Sequence, residues 1–250
     1  MSTKKERFAG TMKQKRRYQK GAALALSLLL LLGSLAGCGG KPQEDASGAD
    51  GANTPSDNNT EYRPSSVNYV SPTNSYTPDT NADGYIVVTM PSSIIWISGA
   101  TASELAADFH STNPPDERIT DIVANEDGTA DYLFTPEQFE HFKKDTYDTG
   151  CYAYGVGNFP QSIKTVEYTE IDENGIPWAA VVTMDAALYT ASDMDALLGY
   201  SYGVAWPANY IGQYQIFCGI PGDEWAVHVT VKDADSGEVI SEHDFPTRGE

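Results

Sequence analysis

An α+β fold is predicted by three observations along this 250-residue chain. Two turns rich in acid and asparagine, Asn125-Glu-Asp-Gly128 and Asp172-Glu-Asn-Gly175, each lie between β-rich runs and mark hairpins. Segments carrying helix N-terminal signatures separate those hairpins. Strands and helices do not alternate at βαβ spacing. The expected sheet is therefore antiparallel, built from hairpins, with helices packed on one face and a disordered tether ahead of it.

The elements follow in order. Tyr85–Met90 is a β-rich run, and Thr101-Ala-Ser-Glu104 has the form of a capping box that starts a helix through about His110. Arg118–Val123 and Ala130–Phe134 form the first hairpin. Thr135-Pro136-Glu137-Gln138 then supplies an N-cap, a proline at the first helical position and a glutamine at the third, with Phe139 and Phe142 on the buried face. Ser162–Thr169 and Trp178–Met184 form the second hairpin, with Asn174-Gly175 expected to supply the positive-φ pair of a type I′ turn. Asp185–Gly219 is the longest helical stretch. Ser192-Asp-Met-Asp195 caps it internally, and Pro207 is expected to kink or split it near Trp206. Trp225–Val231 alternates cleanly, with Trp225, Val227, Val229 and Val231 on one side, before Asp233–Gly237 turns the chain into Glu238–Ile240.

Ahead of these elements the chain has a different character. Lys4 to Lys20 is basic, Ala22 to Leu32 is apolar, and small residues lead to Leu35-Ala36-Gly37-Cys38. The apolar run rises only ~16 Å as a helix, short of the ~30 Å hydrocarbon core, so a permanent span is not expected. Leu-Ala-Gly-Cys resembles the lipobox of bacterial lipoproteins. That resemblance implies cleavage between Gly37 and Cys38 and a diacylated Cys38 as the mature N-terminus. Residues 39–83 are Gly, Ser, Pro, Asn, Asp and Thr with almost no aliphatic side chains, and read as a tether with an end-to-end distance of ~35–40 Å. Its tyrosines, Tyr62, Tyr69 and Tyr76, alternate with Pro64, Pro72 and Pro78. The organisation is thus a leader over 1–37, a lipidated cysteine and tether over 38–83, and one folded domain over 84–250.

The net charge of the whole chain is −19. Removing 1–37, which holds eight of the 16 basic residues and one of the 35 acidic, leaves eight against 34, a net −26. Phosphate backbones and anionic lipid headgroups repel such a chain, which excludes nucleic acid as a partner and leaves membrane attachment to the acyl chains. The acidity also suits a soluble monomer. Besides Cys38 only Cys151 and Cys218 remain. They are either a disulfide formed in an oxidising exterior or two small buried hydrophobes.

No catalytic signature is present: there is no Gly-x-Ser-x-Gly, His-Glu-x-x-His, Cys-x-x-Cys or Walker-type Gly-Lys-Ser/Thr. The four histidines, His110, His141, His228 and His243, are scattered, and no local run supplies the converging ligands of a metal site. Cys151 before the Gly155-Val-Gly157 stretch would need a base such as His141 to act as a nucleophile. Asp233-Ala-Asp-Ser-Gly237 has its glycine at position five, against position six in a calcium loop, and reads as a hairpin turn. No catalytic residue, metal or cofactor is therefore assigned. Tyr202, Trp206, Tyr210 and Tyr214, spaced at four, form a slowly winding aromatic stripe. It is either core or a partly exposed platform on which a cell-wall glycan or a surface peptide would stack.

Several patterns recur in order: the Asn-Glu-Asp-Gly turn, the Thr135–Phe142 helix start, Gln161-Ser-Ile-Lys164, the helix closing on Tyr214-Gln-Ile-Phe217, and the Asp235–Ile240 turn. Together they resemble a family of small, uncharacterised lipoproteins of Gram-positive anaerobic bacteria, over roughly 84–245. Pro207, and Trp178 after a proline, depart from that pattern. The resemblance implies the same fold and the same address, the outer face of the cytoplasmic membrane, and supplies no active site. The expected function is a lipid-anchored, non-catalytic binding or surface-interaction module. The alternative is an extracytoplasmic hydrolase with an unrecognised site.

Overall fold

The structure, a computed structural model, describes residues 73–112, 117–151 and 162–246. The leader, Cys38, the tether up to residue 72, Gly155, Gly157 and Gln161 lie outside the described residues, as does the side chain of Cys151. The fold is α+β, as the sequence predicts. Strands β1 (Ile86–Met90), β2 (Asp121–Ala124) and β3 (Ala130–Phe134) form an antiparallel sheet in the order β1-β3-β2. Strands β4 (Ile163–Thr169), β5 (Ala179–Met184), β6 (Val227–Asp233) and β7 (Val239–Phe245) form a second sheet in chain order. Between β1 and β2 run α1 (Ser92–Ile97) and α2 (Ala102–Ser111), and α3 (Pro136–Cys151) links the sheets. Between β5 and β6 run α4 (Ala186–Tyr189), α5 (Asp193–Tyr200) and α6 (Trp206–Phe217).

The local signatures act where the sequence places them. Thr101 and Glu104 form a reciprocal capping box at the start of α2. At the start of α3 the Thr135 N–H donates to Gln138 Oε1 (2.9 Å) and the Gln138 N–H to Thr135 Oγ1 (3.2 Å). Ser192 caps α5 through the Asp195 N–H. Trp225, Val227, Val229 and Val231 are all buried, on the face of β6 turned to the core. The Asp172–Gly175 turn differs from expectation. Only Gly175 has positive φ, +76°, so the turn is a type I turn closed by a left-handed glycine, with Gly175 N–H donating to Asp172 O (3.0 Å).

Two departures are topological. The hairpins build two sheets, and β5 pairs with β6 in parallel, Ala179 opposite His228 and Val182 opposite Val231. A parallel pair needs a long crossover, and the α4–α6 stretch supplies it. Within that crossover Pro207 does not split the helix. Ser201–Ala205 forms a π turn in which the Trp206 N–H donates to Ser201 O, and α6 continues from there with the proline in its first turn. The widened turn accommodates a ring that has no N–H to give.

Helix α6 is the centre of the molecule. Phe217 meets Phe134 of β3 and Phe139 and Phe142 of α3 at ring separations of 5.6–6.0 Å. Tyr214 meets Tyr147 of α3 at 4.9 Å. Gly212 lies so close to Trp225 and Ile94 that an added β-carbon would sit 3.0 Å from the indole. Gln215 is fully buried; its Nε2 donates to Pro177 O and Ala226 O (both 2.8 Å) and its Oε1 accepts from the Ala226 N–H (3.0 Å). One side chain thus holds the entries to β5 and β6 level.

The domain begins earlier than composition suggests. Residues 73–83 are assigned by sequence to the tether, but 73–77 lie against α3 and the end of α6 as a strap. Lys143 Nζ donates to Asn74 Oδ1 (2.8 Å) and to Tyr76 O (2.6 Å), and Thr77 Oγ1 donates to Glu140 (2.5 Å). Thr80 bridges Ile86. Aliphatic content is blind to this segment because hydrogen bonds, not apolar burial, hold it.

Two stability predictions follow from these contacts. Gln215→Leu strips partners from one N–H and two carbonyls and is expected to cost about 2–4 kcal/mol in denaturant melts. An unchanged midpoint would mean that this clamp does not hold the parallel pair. Gly175→Val places a β-branched residue at positive φ and drives its β-carbon into Thr73, so the melting temperature should fall by the equivalent of roughly 1–3 kcal/mol. A parental melting curve would contradict the turn geometry.

Candidate functional site

The aromatic stripe is core, which overturns the platform expectation for most of its residues. Tyr202 is 8%, Trp206 6% and Tyr214 0% exposed. Tyr202, Trp206 and Tyr210 stack in series at 5.7 and 4.9 Å. Gly150 of α3 approaches Tyr210 and Tyr168 so closely that a β-carbon would overlap both. The physical reason is that α6 has no polar face: no charged residue occurs between Asp195 and Asp223, so every side of the helix can be buried. The four-residue aromatic spacing on such a helix fills the core, with Tyr210 alone of the four only partly buried against it.

Of the two readings of the cysteines, Cys218 fits the small buried hydrophobe, while the side chain of Cys151 lies outside the described residues. Cys218 is a free, buried thiol just past the end of α6. Its surroundings are the most chemically distinctive part of the described structure. Lys143, in the middle of α3, is only 3% exposed, although it is one of six basic residues after position 73, with Arg118, Lys144, Lys164, Lys232 and Arg248. Two of its three donors go to the strap and its ammonium lies 5.9 Å from the Phe139 ring centre. Asn74 Oδ1 also accepts from the Tyr76 N–H (3.0 Å), which fixes the strap's bend over the lysine. Tyr214, fully buried, stands with its hydroxyl beside the Cys218 thiol and the Asn74 backbone.

Charge and burial compete at this cluster. Desolvation pulls the Lys143 pKa below the usual lysine value, while Cys218 and Glu140 draw it back up. Burial pushes the Cys218 thiol up to about 11, and the Lys143 charge and Tyr214 oppose that only in part. Burial likewise raises the Tyr214 hydroxyl. Lysine is thus arranged as a hydrogen-bond donor to carbonyl oxygens, and cysteine as a protonated thiol. The arrangement can hold an extended peptide. A nucleophile would need the opposite shift.

The other sequence candidates stay apart from this cluster. His110 pairs with Asp121 (2.7 Å) and His228 with Asp244 (2.8 Å), both on the surface. His243 contacts Ser241 (3.0 Å), and His141 is exposed on α3. Among the described residues no three His, Cys, Asp or Glu side chains converge as a metal site would require. Sequence reasoning missed Lys143 and Asn74 and left Tyr76 among the tether tyrosines; the available clue was a lysine one turn beyond Phe139 on an otherwise apolar helix stripe. Comparison with protein-family models, with curated proteins and with solved structures returns no match.

The cluster makes a titration prediction. In a chain carrying Cys38→Ser and Cys151→Ser, thiolate absorbance should rise with a midpoint near pH 11, against 9 for an ordinary thiol. Because the folded value is raised, the neutral thiol's contribution to stability is complete below pH 9 and is lost as pH climbs through 11. A midpoint at the ordinary value would show that the thiol is solvated.

Proposed function

We propose that this protein is a lipid-anchored, extracytoplasmic binding protein without catalytic activity, held on the outer face of the cytoplasmic membrane through acylated Cys38. The observation that carries the reading is Leu35-Ala36-Gly37-Cys38 behind a basic head and an apolar run. The resemblance to small lipoproteins of Gram-positive anaerobes supports the same address. Among the described residues no helix is long and apolar enough to cross a membrane. A net −26 after leader removal favours uncharged or cationic partners over nucleic acid and anionic lipid.

With the aromatic stripe consigned to the core, the binding surface moves to the face of α3 and α6 organised by Lys143. Cys218 is the nucleophile that a hydrolase would use at this place, and burial holds its thiol protonated, which disfavours the enzymatic reading. The anchor is tested directly. Cys38→Ser should leave unprocessed precursor and abolish incorporation of labelled fatty acid in cells. Normal processing with membrane retention of the serine chain would overturn the proposal.

A further inference from the structure

We propose that the surface beneath residues 73–77 is a peptide-binding groove that the protein fills with its own strap, and that it accepts in trans an extended peptide carrying asparagine and tyrosine two residues apart. The inference rests on the binding-protein reading and names the ligand class of its site.

The strap behaves as a ligand of the domain more than as part of its core. No side chain from Thr73 to Tyr85 is fully buried, and Tyr76 is 46% exposed. Yet the groups it touches or adjoins, Lys143, Tyr214 and Cys218, are all buried. Its attachments are those by which proteins read extended peptides: a main-chain carbonyl, that of Tyr76, and a side-chain amide, that of Asn74, both accepting from one ammonium. Asn74 Nδ2 also reaches Asn174 O across the groove (3.5 Å). The walls are cut to admit the peptide. At Gly175 a β-carbon would strike Thr73, and at Gly219, which has φ +89°, it would stand 2.9 Å from the Tyr76 ring. The Tyr214 hydroxyl, buried at the groove, also lies against the Asn74 backbone, so the strap meets a third buried polar group beside Lys143 and Cys218.

Occupancy can be read through Cys218, which adjoins Gly219 under the Tyr76 ring. The experiment uses the full chain with Cys38→Ser and Cys151→Ser, so that Cys218 is the remaining cysteine. An aromatic disulfide reagent reports access: the thiolate attacks one sulfur, forms a mixed disulfide and releases a coloured thiolate. In this parent, labelling should be slow. Adding Asn74→Ala and Tyr76→Ala should speed it by about tenfold or more. A synthetic peptide spanning residues 72–79, capped at both ends, should then restore slow labelling saturably at ~1 mM, the range for a short flexible ligand. The same peptide with both alanines should not protect.

Parental labelling rates in the strap variant overturn the groove, as does a wild-type peptide that fails to protect. Circular dichroism of the variant distinguishes strap release from unfolding. If the double variant unfolds, Asn74→Ala alone, which keeps Tyr76 over Gly219, is put through the same assay and judged by the same two outcomes. The recovered peptide is weighed by mass spectrometry. An intact peptide is expected, and a cleaved one would sink the non-catalytic reading while leaving binding in place. Lack of protection here, with normal lipid labelling of Cys38 in the wild-type chain, would remove the groove alone.

Discussion

Helix α6 is buried over most of its surface, and the way its buried amide Gln215 is satisfied organises the strands around it. Residues 206–217 contact α3 through Tyr214 and Phe217, β3 through Phe217 and α1 through Gly212. Burying such a helix removes apolar area from water at about 25 cal/mol per Å², but it also desolvates any side-chain amide it carries. Gln215 meets that cost with three hydrogen bonds, all to main-chain atoms at the entries to β5 and β6. The buried amide thus does two things at once. It is satisfied, and it sets the level at which two distant strands meet in parallel.

That coupling explains which parts of the fold were legible in the sequence. Caps, hairpin turns and strand alternation are local, written within about four to eight residues by side-chain geometry and period. Thr101 with Glu104, Thr135 with Gln138, and Val227-Val229-Val231 behave as their patterns require. The division into two sheets and the parallel β5–β6 pair depend on Gln215 reaching Pro177, 38 positions away, and no local pattern encodes that. The aromatic stripe was ambiguous for a different reason. Spacing of four fixes which residues are neighbours on a helix, but exposure depends on the remaining positions. The uncharged stretch between Asp195 and Asp223 carried the deciding information: a helix with no charged face is buried.

The strap was hidden by the same logic that identified the tether. Low aliphatic content predicts that a segment cannot fold by burying its own surface, and Thr73–Tyr85 does not. Its order comes from a complementary group on the domain instead. Lysine side chains are among the least often buried unless paired, and here the pairing is with neutral acceptors on the strap. Composition reports what a segment can bury; it is silent about what another part of the chain needs from it.

The energetics of Lys143 also determine what kind of occupant the groove can take. A buried ammonium is costly to leave without acceptors, more so than a neutral donor, because desolvation grows with charge. An empty groove would expose the lysine to water or strand it, and an apolar ligand would cover it without satisfying it. An anionic ligand would meet the acidic surplus of the rest of the surface on approach, with Glu140 at the groove itself. A neutral peptide avoids both penalties: its carbonyl and side-chain amide oxygens satisfy the ammonium, and it brings no charge into an acidic field. The strap has this chemistry, which is why a chain so poor in basic residues can keep one of them buried.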